Sequence, residues 1–288
     1  MTPEPPETGL VGGVNPAISV VMTVFNGEPY VDRALPSILA QTFRNFEVVL
    51  VDDGSTDRTY ELLQEYAQRD ARIRLFRPGR LGRAAALNFA IDHARAPYIA
   101  QQDFDDVSYP ERLRLQVEFL DAHPEVGLVG SYYVLVDDNR GERFVRMPPT
   151  DHDDFVRAMA RYIPFAHTMV AFRKEAWAQV GGYPSVTNIL DLRFAVALAA
   201  AGWRLANIPQ VLGEHWVHPD SFWHRSFRYR DRQKELAKVQ ASAVRRLGLP
   251  RWMYAYAGAR FVYAWIPDRV KRVVRRTLGG SREEDIRS

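Results

Sequence analysis

The chain has 288 residues, 47% of them hydrophobic, and sets 38 Lys and Arg against 35 Asp and Glu for a formal net charge of +3. That is enough apolar material for one large core, or one core plus an appendage, without staples. Having no cysteine excludes a disulfide framework, a thiolate zinc site and a cysteine nucleophile, and fits a reducing, cytoplasmic setting.

The lead-in, residues 1–17, carries Pro, Glu and Gly where a secretory signal would have a basic stretch and then an apolar one, so it is expected to be a flexible lead-in. Ile18 to Val24 and Glu47 to Val51 read as buried strands, Ile73 to Phe76 as a shorter one and Tyr98 to Gln102 as a fourth. Between them Pro29 to Gln41, Asp57 to Arg69 and Gly82 to Ala94 space their apolar residues at three and four. Asp57 or its neighbours Ser55 and Thr56 can cap the second of these helices. Strand and helix alternating in this order predict right-handed crossovers and a doubly wound α/β domain whose mainly parallel sheet is covered on both faces. Ser108-Tyr109-Pro110-Glu111 has the form of a capping box for a further helix, with Asp106 available to assist its start. No apolar stretch reaches the roughly 18 residues a membrane span requires.

Ligands of such sheets bind beyond the carboxyl ends of the strands. The polar clusters fall there: Thr23-Val24-Phe25-Asn26-Gly27-Glu28, Asp52-Asp53-Gly54-Ser55-Thr56-Asp57 and Asp103-Phe104-Asp105-Asp106. The middle cluster also suits a turn and a helix cap. Asp103 and Asp105 have no such structural account, because acids bunched beside a cap repel one another. A hard divalent cation bound through oxygen would neutralise them, which points to a metal-and-diphosphate site.

These clusters, with Ser37-Ile38-Leu39-Ala40-Gln41-Thr42, Pro164-Phe165-Ala166-His167, Phe172-Arg173, Gly181-Gly182-Tyr183 and His218-Pro219-Asp220-Ser221, make the chain resemble the family 2 glycosyltransferases of GT-A fold over residues 18–221. The resemblance implies inverting transfer of a sugar from a nucleotide diphosphate donor, usually a UDP-sugar, to a hydroxyl of a saccharide or lipid-linked acceptor. Cell-surface polysaccharide or glycolipid synthesis is the implied setting. By position, Thr23, Phe25 and Glu28 would line the nucleotide pocket, Asp53 would bind the base, and Asp103 would lie near the ribose. Asp105 would bind Mg²⁺ or Mn²⁺ bridging the phosphates, and His218 would add a metal or phosphate contact. The family's Glu-Asp pair aligns with Leu190-Asp191, which makes Asp191 the general base; a charge favoured by the dipole of the following helix is the other reading of that residue. Leu87-Asn88 stands where many relatives have Arg-Asn, leaving Arg83 to approach the phosphates, and Trp216 replaces an arginine. His167 suits a packed histidine as well as a site residue.

Residues 222–288 carry 17 Lys and Arg against 6 Asp and Glu, whereas residues 1–221 carry 21 against 29. An aromatic stretch, Trp252 to Trp265, precedes Val270-Lys271-Arg272-Val273-Val274-Arg275-Arg276. A basic, aromatic helical extension of this kind suits an anionic membrane surface, and hence peripheral attachment to the inner face of the cell membrane. Packing on the catalytic body or a dimer contact suits it too. Nucleic acid is not expected, since the aromatics lie apart from the densest charge. Of the rival functions, a nucleotidyltransferase would place a Gly-rich, basic loop after the first strand, and a receiver domain would need an early Lys; the chain has no Lys before Lys174.

Overall fold

A computed structural model describes residues 15–186, 188–218 and 229–266. Residues 1–14 of the lead-in, Pro219-Asp220-Ser221, the aromatic start of the extension and the basic run Val270 to Arg276 lie outside the described residues.

Four parallel strands form the first half of the sheet: β1 (Ile18–Val24), β2 (Phe46–Asp52), β3 (Ile73–Phe76) and β4 (Tyr98–Gln101), adjacent in the order β3-β2-β1-β4. All of β2 is buried and nearly all of β1, as expected of strands with helices on both faces. Side chains alternate between two cores. Val20, Met22, Val48 and Leu50 pack with α1 (Val31–Leu39), α2 (Thr59–Arg69) and α4 (Arg112–Ala122). Val21, Val49 and Val51 pack on the opposite face with α3 (Arg83–Asp92), α5 (His152–Met159), α6 (Lys174–Gln179) and α7 (Leu190–Ala200). The helices begin a residue or two inside their expected bounds. Pro29 falls in a 3₁₀ turn, Glu28–Tyr30, that leads into α1, and the Asp57 carboxylate accepts from the Thr59 backbone N–H at 3.0 Å to start α2.

The second half is mixed. β5 (Val107–Ser108), β6 (Val126–Asp137), β7 (Glu142–Arg146), β8 (Ala171–Arg173) and β9 (Arg204–Val217) extend the sheet in the order β4-β8-β6-β9-β5, with β7 on β6. β8 is antiparallel to β4 and β6, whereas β9 is parallel to β6.

The capping box expected at Ser108 and Glu111 does not form. Ser108 lies in β5 and gives its hydroxyl to Gln102 at 2.6 Å, while Glu111 pairs with Arg114. A fully buried Arg112 organises this region: it donates to Ser108, to the Gln102 side chain and to the Gln101 and Val170 carbonyls. Side chains competing for one guanidinium outweigh a local cap.

The described part of the extension is two helices, α8 (Tyr229–Arg246) and α9 (Tyr254–Trp265), running antiparallel about Gly248 at φ +64°. Val239 and Ala243 of α8 join the core beside α7, and Glu235 pairs with Arg193 at 3.0 Å. α9 is tied to the body by Arg260, whose guanidinium donates to the Arg161 carbonyl at 2.9 Å.

Candidate functional site at the carboxyl rim of the sheet

The ends of β1 and β2 are stitched together by side chains of the turns that follow them. The Asn26 and Gly27 backbone N–H groups donate to Ser55 and Thr59 hydroxyls at 2.9 and 2.8 Å, and the Asn26 amide oxygen accepts from Thr56 N–H at 2.8 Å. Thr23 sits in register with Val51, half-buried, and Phe25 is exposed just beyond the strand. Glu28 points away from these two: its carboxylate accepts from the Arg58 N–H at 3.2 Å, at the start of α2.

Asp53 is buried, and the segment Arg80-Leu81-Gly82 saturates it. Arg80 donates to its carboxylate, as do the backbone N–H groups of Leu81 at 2.6 Å and Gly82 at 3.1 Å. The Arg80 guanidinium lies 3.6 Å from the centroid of Phe25, a cation–π contact that covers the ring. Gly82, at φ +87°, takes a backbone conformation open mainly to glycine. The next residue, Arg83, opens α3 and donates to Asp103 at 3.1 Å. Asp53 and Asp103 are therefore joined through four consecutive residues on one rim.

Around Arg83 the acids converge. Burial opposes its charge, but Asp103, Asp191 and Asp105 together outweigh burial and raise its pKa. Burial would likewise raise Asp103; Arg83 and then His167 override it and hold the carboxylate far below its usual range. Arg83 also reaches His167 Nδ1 at 3.3 Å, and His167 Nε2 meets the Tyr183 hydroxyl at 2.9 Å. Burial, then the charges of Asp191 and Asp103, push the Tyr183 phenol well above its normal pKa. His167 is buried, as the packed reading expects, and its ring lies against Arg83.

Asp191 lies in the first turn of α7 and is partly exposed, whereas Leu190 beside it is buried in the core. Ile189, just before the helix, has φ +52°. A β-branched residue in the left-handed region costs about 1–3 kcal/mol. That backbone sends Leu190 inward and leaves Asp191 on the side where Arg83 and Tyr183 feel its charge.

Beyond Asp103 the acidic turn meets the end of β9. His218 Nε2 lies 3.0 Å from Asp105 Oδ2, and its Nδ1 lies 3.1 Å from the Tyr30 hydroxyl. Arg33 donates to the Asp105 carbonyl at 2.5 Å and stacks on Trp216 at 4.1 Å. Among the described residues no three or more His, Asp or Glu form a metal cage. Asp105 and His218 are two adjacent donors, a set that fits a hard cation completing its shell with diphosphate oxygens and water.

Asp106 has a role the sequence did not reveal. Its buried carboxylate accepts from the Trp216 backbone N–H at 2.7 Å and meets His215 Nδ1 at 3.2 Å, fastening the acidic turn to β9. Burial, with help from Asp105 and Asp103, pushes Asp106 up to about 6, and Asp106 in turn overcomes burial to raise His215 to about 9. Its expected part in starting α4 is not seen.

Residues 19–180 match the family model described as Glycosyl transferase family 2. EpsE of Bacillus subtilis (strain 168), provisionally named a glycosyltransferase, is 35% identical over 257 residues, 88% of this chain and 90% of its own. The amylovoran biosynthesis glycosyltransferase AmsE of Erwinia amylovora is 31% identical over 201 residues, 67% of this chain and 74% of its own. Among solved structures, the mannosyltransferase PcManGT of Pyrobaculum calidifontis, in complex with GDP-Man and Mn²⁺, superposes with a TM-score of 0.65 at 23% identity, covering 94% of this chain and 82% of its own. S. aureus TarS 1-349, in complex with UDP-GlcNAc, gives 0.64 at 18%, covering 89% and 83%. The fold is GT-A. The family match stops short of Asp191 and His218, so their placement rests on the geometry above.

Proposed function

The chain belongs to glycosyl transferase family 2, and from that premise we propose that it moves a sugar, with inversion, from a nucleotide diphosphate donor to an acceptor hydroxyl. The observation that carries the reading is the Arg83–Asp103 ion pair at the carboxyl rim, 3.1 Å, on a guanidinium that also feels the charges of Asp191 and Asp105. A cation site and a base site then share one cleft, as displacement at a sugar carbon requires.

In this reading Thr23, Phe25, Glu28 and Asp53 form the nucleotide end, with Asp103 near the ribose. Glu28 acts there indirectly, through its hold on the start of α2. Asp53 serves the base once Arg80 releases it. Arg83 faces the diphosphate and offsets charge growing on the departing oxygen. Asp105 and His218 would hold Mn²⁺ or Mg²⁺, which supplies further charge stabilisation to that leaving group. On the far side of the sugar ring Asp191 accepts the proton of the acceptor hydroxyl. Tyr183 and His167 brace Arg83. PcManGT carries GDP-Man and TarS carries UDP-GlcNAc, which supports a sugar on a nucleoside diphosphate; the donor we propose is a UDP-sugar. Similarity to an amylovoran biosynthesis enzyme supports a place in polysaccharide synthesis; the acceptor we propose is a saccharide or lipid-linked saccharide. No described helix is long and apolar enough to cross a membrane; the attachment we propose is peripheral, through the basic, aromatic extension.

The test is a donor screen by mass spectrometry across UDP-, GDP- and dTDP-sugars, with a membrane lipid extract as acceptor and Mn²⁺ present. A sugar transferred only in the presence of UDP-sugar and cation is the expected result. Nucleotidyl transfer to a sugar phosphate would replace the proposal.

A further inference from the structure

Resting on the peripheral attachment proposed above, we infer that the outer face of α9 is the surface that docks on an anionic bilayer. Tyr254, Gly258, Phe261, Val262 and Trp265 follow one another at helical spacing, and all are exposed. Val262 is 62% accessible and Trp265 53%, and Trp252, just ahead of the helix, is 64%. The face turned inward carries Met253, Ala257 and Ala264, which are buried. α9 thus rests on the body through Ala257 and Ala264, with Tyr256 and Tyr263 partly buried, and still turns Tyr254, Phe261, Val262 and Trp265 to solvent, more apolar surface than a helix that only covers a core exposes.

The charges around this face choose the occupant. From Leu236 to Pro267 the sequence contains no Asp or Glu, while it contains Lys238, Arg245, Arg246, Arg251 and Arg260. Arg245, Arg246 and Arg251 are exposed. The Arg230 guanidinium and the Lys234 ammonium stand 5.5 and 4.8 Å from the Trp265 ring. A second copy would bring the same cationic rim against itself. An anionic lipid surface instead takes the rings at headgroup depth and meets the rim with phosphate.

The anchor of α9 is also linked along the chain to the site. Arg161, which accepts from Arg260 and stacks on Tyr256 at 5.1 Å, begins a segment that passes through exposed Tyr162 and ends at His167 beside Arg83.

Flotation of the full chain with vesicles of phosphatidylcholine, with and without phosphatidylglycerol, tests this. The wild type is expected to float only with the anionic vesicles, and V262E/W265E to lose at least about tenfold in partition, about 1.4 kcal/mol. The variant should keep its Tm and its UDP-Mn²⁺ thermal shift. If V262E/W265E melts lower, Trp252→Glu, which lies outside α9, repeats the measurement. Equal flotation of variant and wild type would move docking to another segment and overturn this inference while leaving peripheral attachment standing. Failure of the wild type to float overturns both. A dimer in lipid-free gel filtration that V262E/W265E converts to monomer, with flotation unchanged, would make the face a protein contact. Loss of the UDP shift with flotation retained would count against the donor site and not against α9.

Discussion

The first half of the sheet delivers its functional residues from strand ends, and the second half delivers them from a turn, a helix start and the end of one long strand. In residues 18–101 each β-turn-α crossover leaves a polar cluster at the same edge, and neighbouring turns bond to each other through Asn26, Ser55 and Thr59. Beyond Gln101 nothing repeats. Asp105, Asp191 and His218 arrive by three different routes, and a dedicated tie, Asp106 on the end of β9, holds one of them in place. In the proposed reading, regular topology positions the nucleotide end, whereas the reacting centre is held by fastenings of its own.

The largest expected effect falls on the helix start. Asp191→Asn keeps size and polarity but cannot take a proton, so kcat should fall by about 10²- to 10⁴-fold. UDP binding should stay within about twofold, well below the roughly 1.4 kcal/mol of a tenfold change. Titration calorimetry beside a transfer assay separates the two, and near-normal turnover would return Asp191 to the helix-dipole reading.

The fastening comes next. Asp106→Ala leaves the Trp216 N–H without its acceptor, at about 1–3 kcal/mol for a buried group, and leaves the 30% exposed His215 ring to water. Relief of an acid that burial has pushed up to about 6 offsets part of this. A net loss of about 2 kcal/mol would lower Tm by roughly 4–8 °C in a chain of this size. Asp106→Asn should lose less, because its amide oxygen still accepts from Trp216. An Asp106→Ala protein that melts with the wild type would show that β9 is held by other means.

Asp105→Asn should weaken Mn²⁺-dependent UDP binding by about tenfold or more, about 1.4 kcal/mol. It should not lower Tm, since it thins a crowd of like charges. Thermal shift with UDP, with and without Mn²⁺, reads this directly. Metal-dependent binding that survives would leave His218 and the donor's own phosphates to hold the cation.

The contrast between halves also explains what could be read from the chain. Ile18 to Val24 and Glu47 to Val51 announced themselves as continuous β-branched runs, and the polar turns after them marked the rim, because parallel crossovers are local and periodic. Ser108 and Glu111 had the form of a cap but serve Arg112 and Arg114 instead. Asp106 could not be read, since its partner Trp216 lies 110 residues on and such a contact leaves no local pattern. α8 and α9 looked like a surface-seeking tail in composition. Val239 and Ala243, which place α8 against α7, are too ordinary to announce a core.

The smallest effect concerns Asp53, which the proposed nucleotide end does not leave ready. Its carboxylate is spent on Arg80, Leu81 N–H and Gly82 N–H, and Arg80 covers Phe25 as well. If the base is to use Asp53 and Phe25, Arg80 must withdraw, and affinity is reduced by the fraction of molecules in which it has not. Arg80→Ala should therefore tighten UDP binding, by only about threefold, under 1 kcal/mol, because the two backbone donors still compete for Asp53. Calorimetry on the variant gives the sign. Weaker binding would mean that Arg80 itself grips the nucleotide, and the regular half would then hold its ligand with a loop side chain and not with its strand ends.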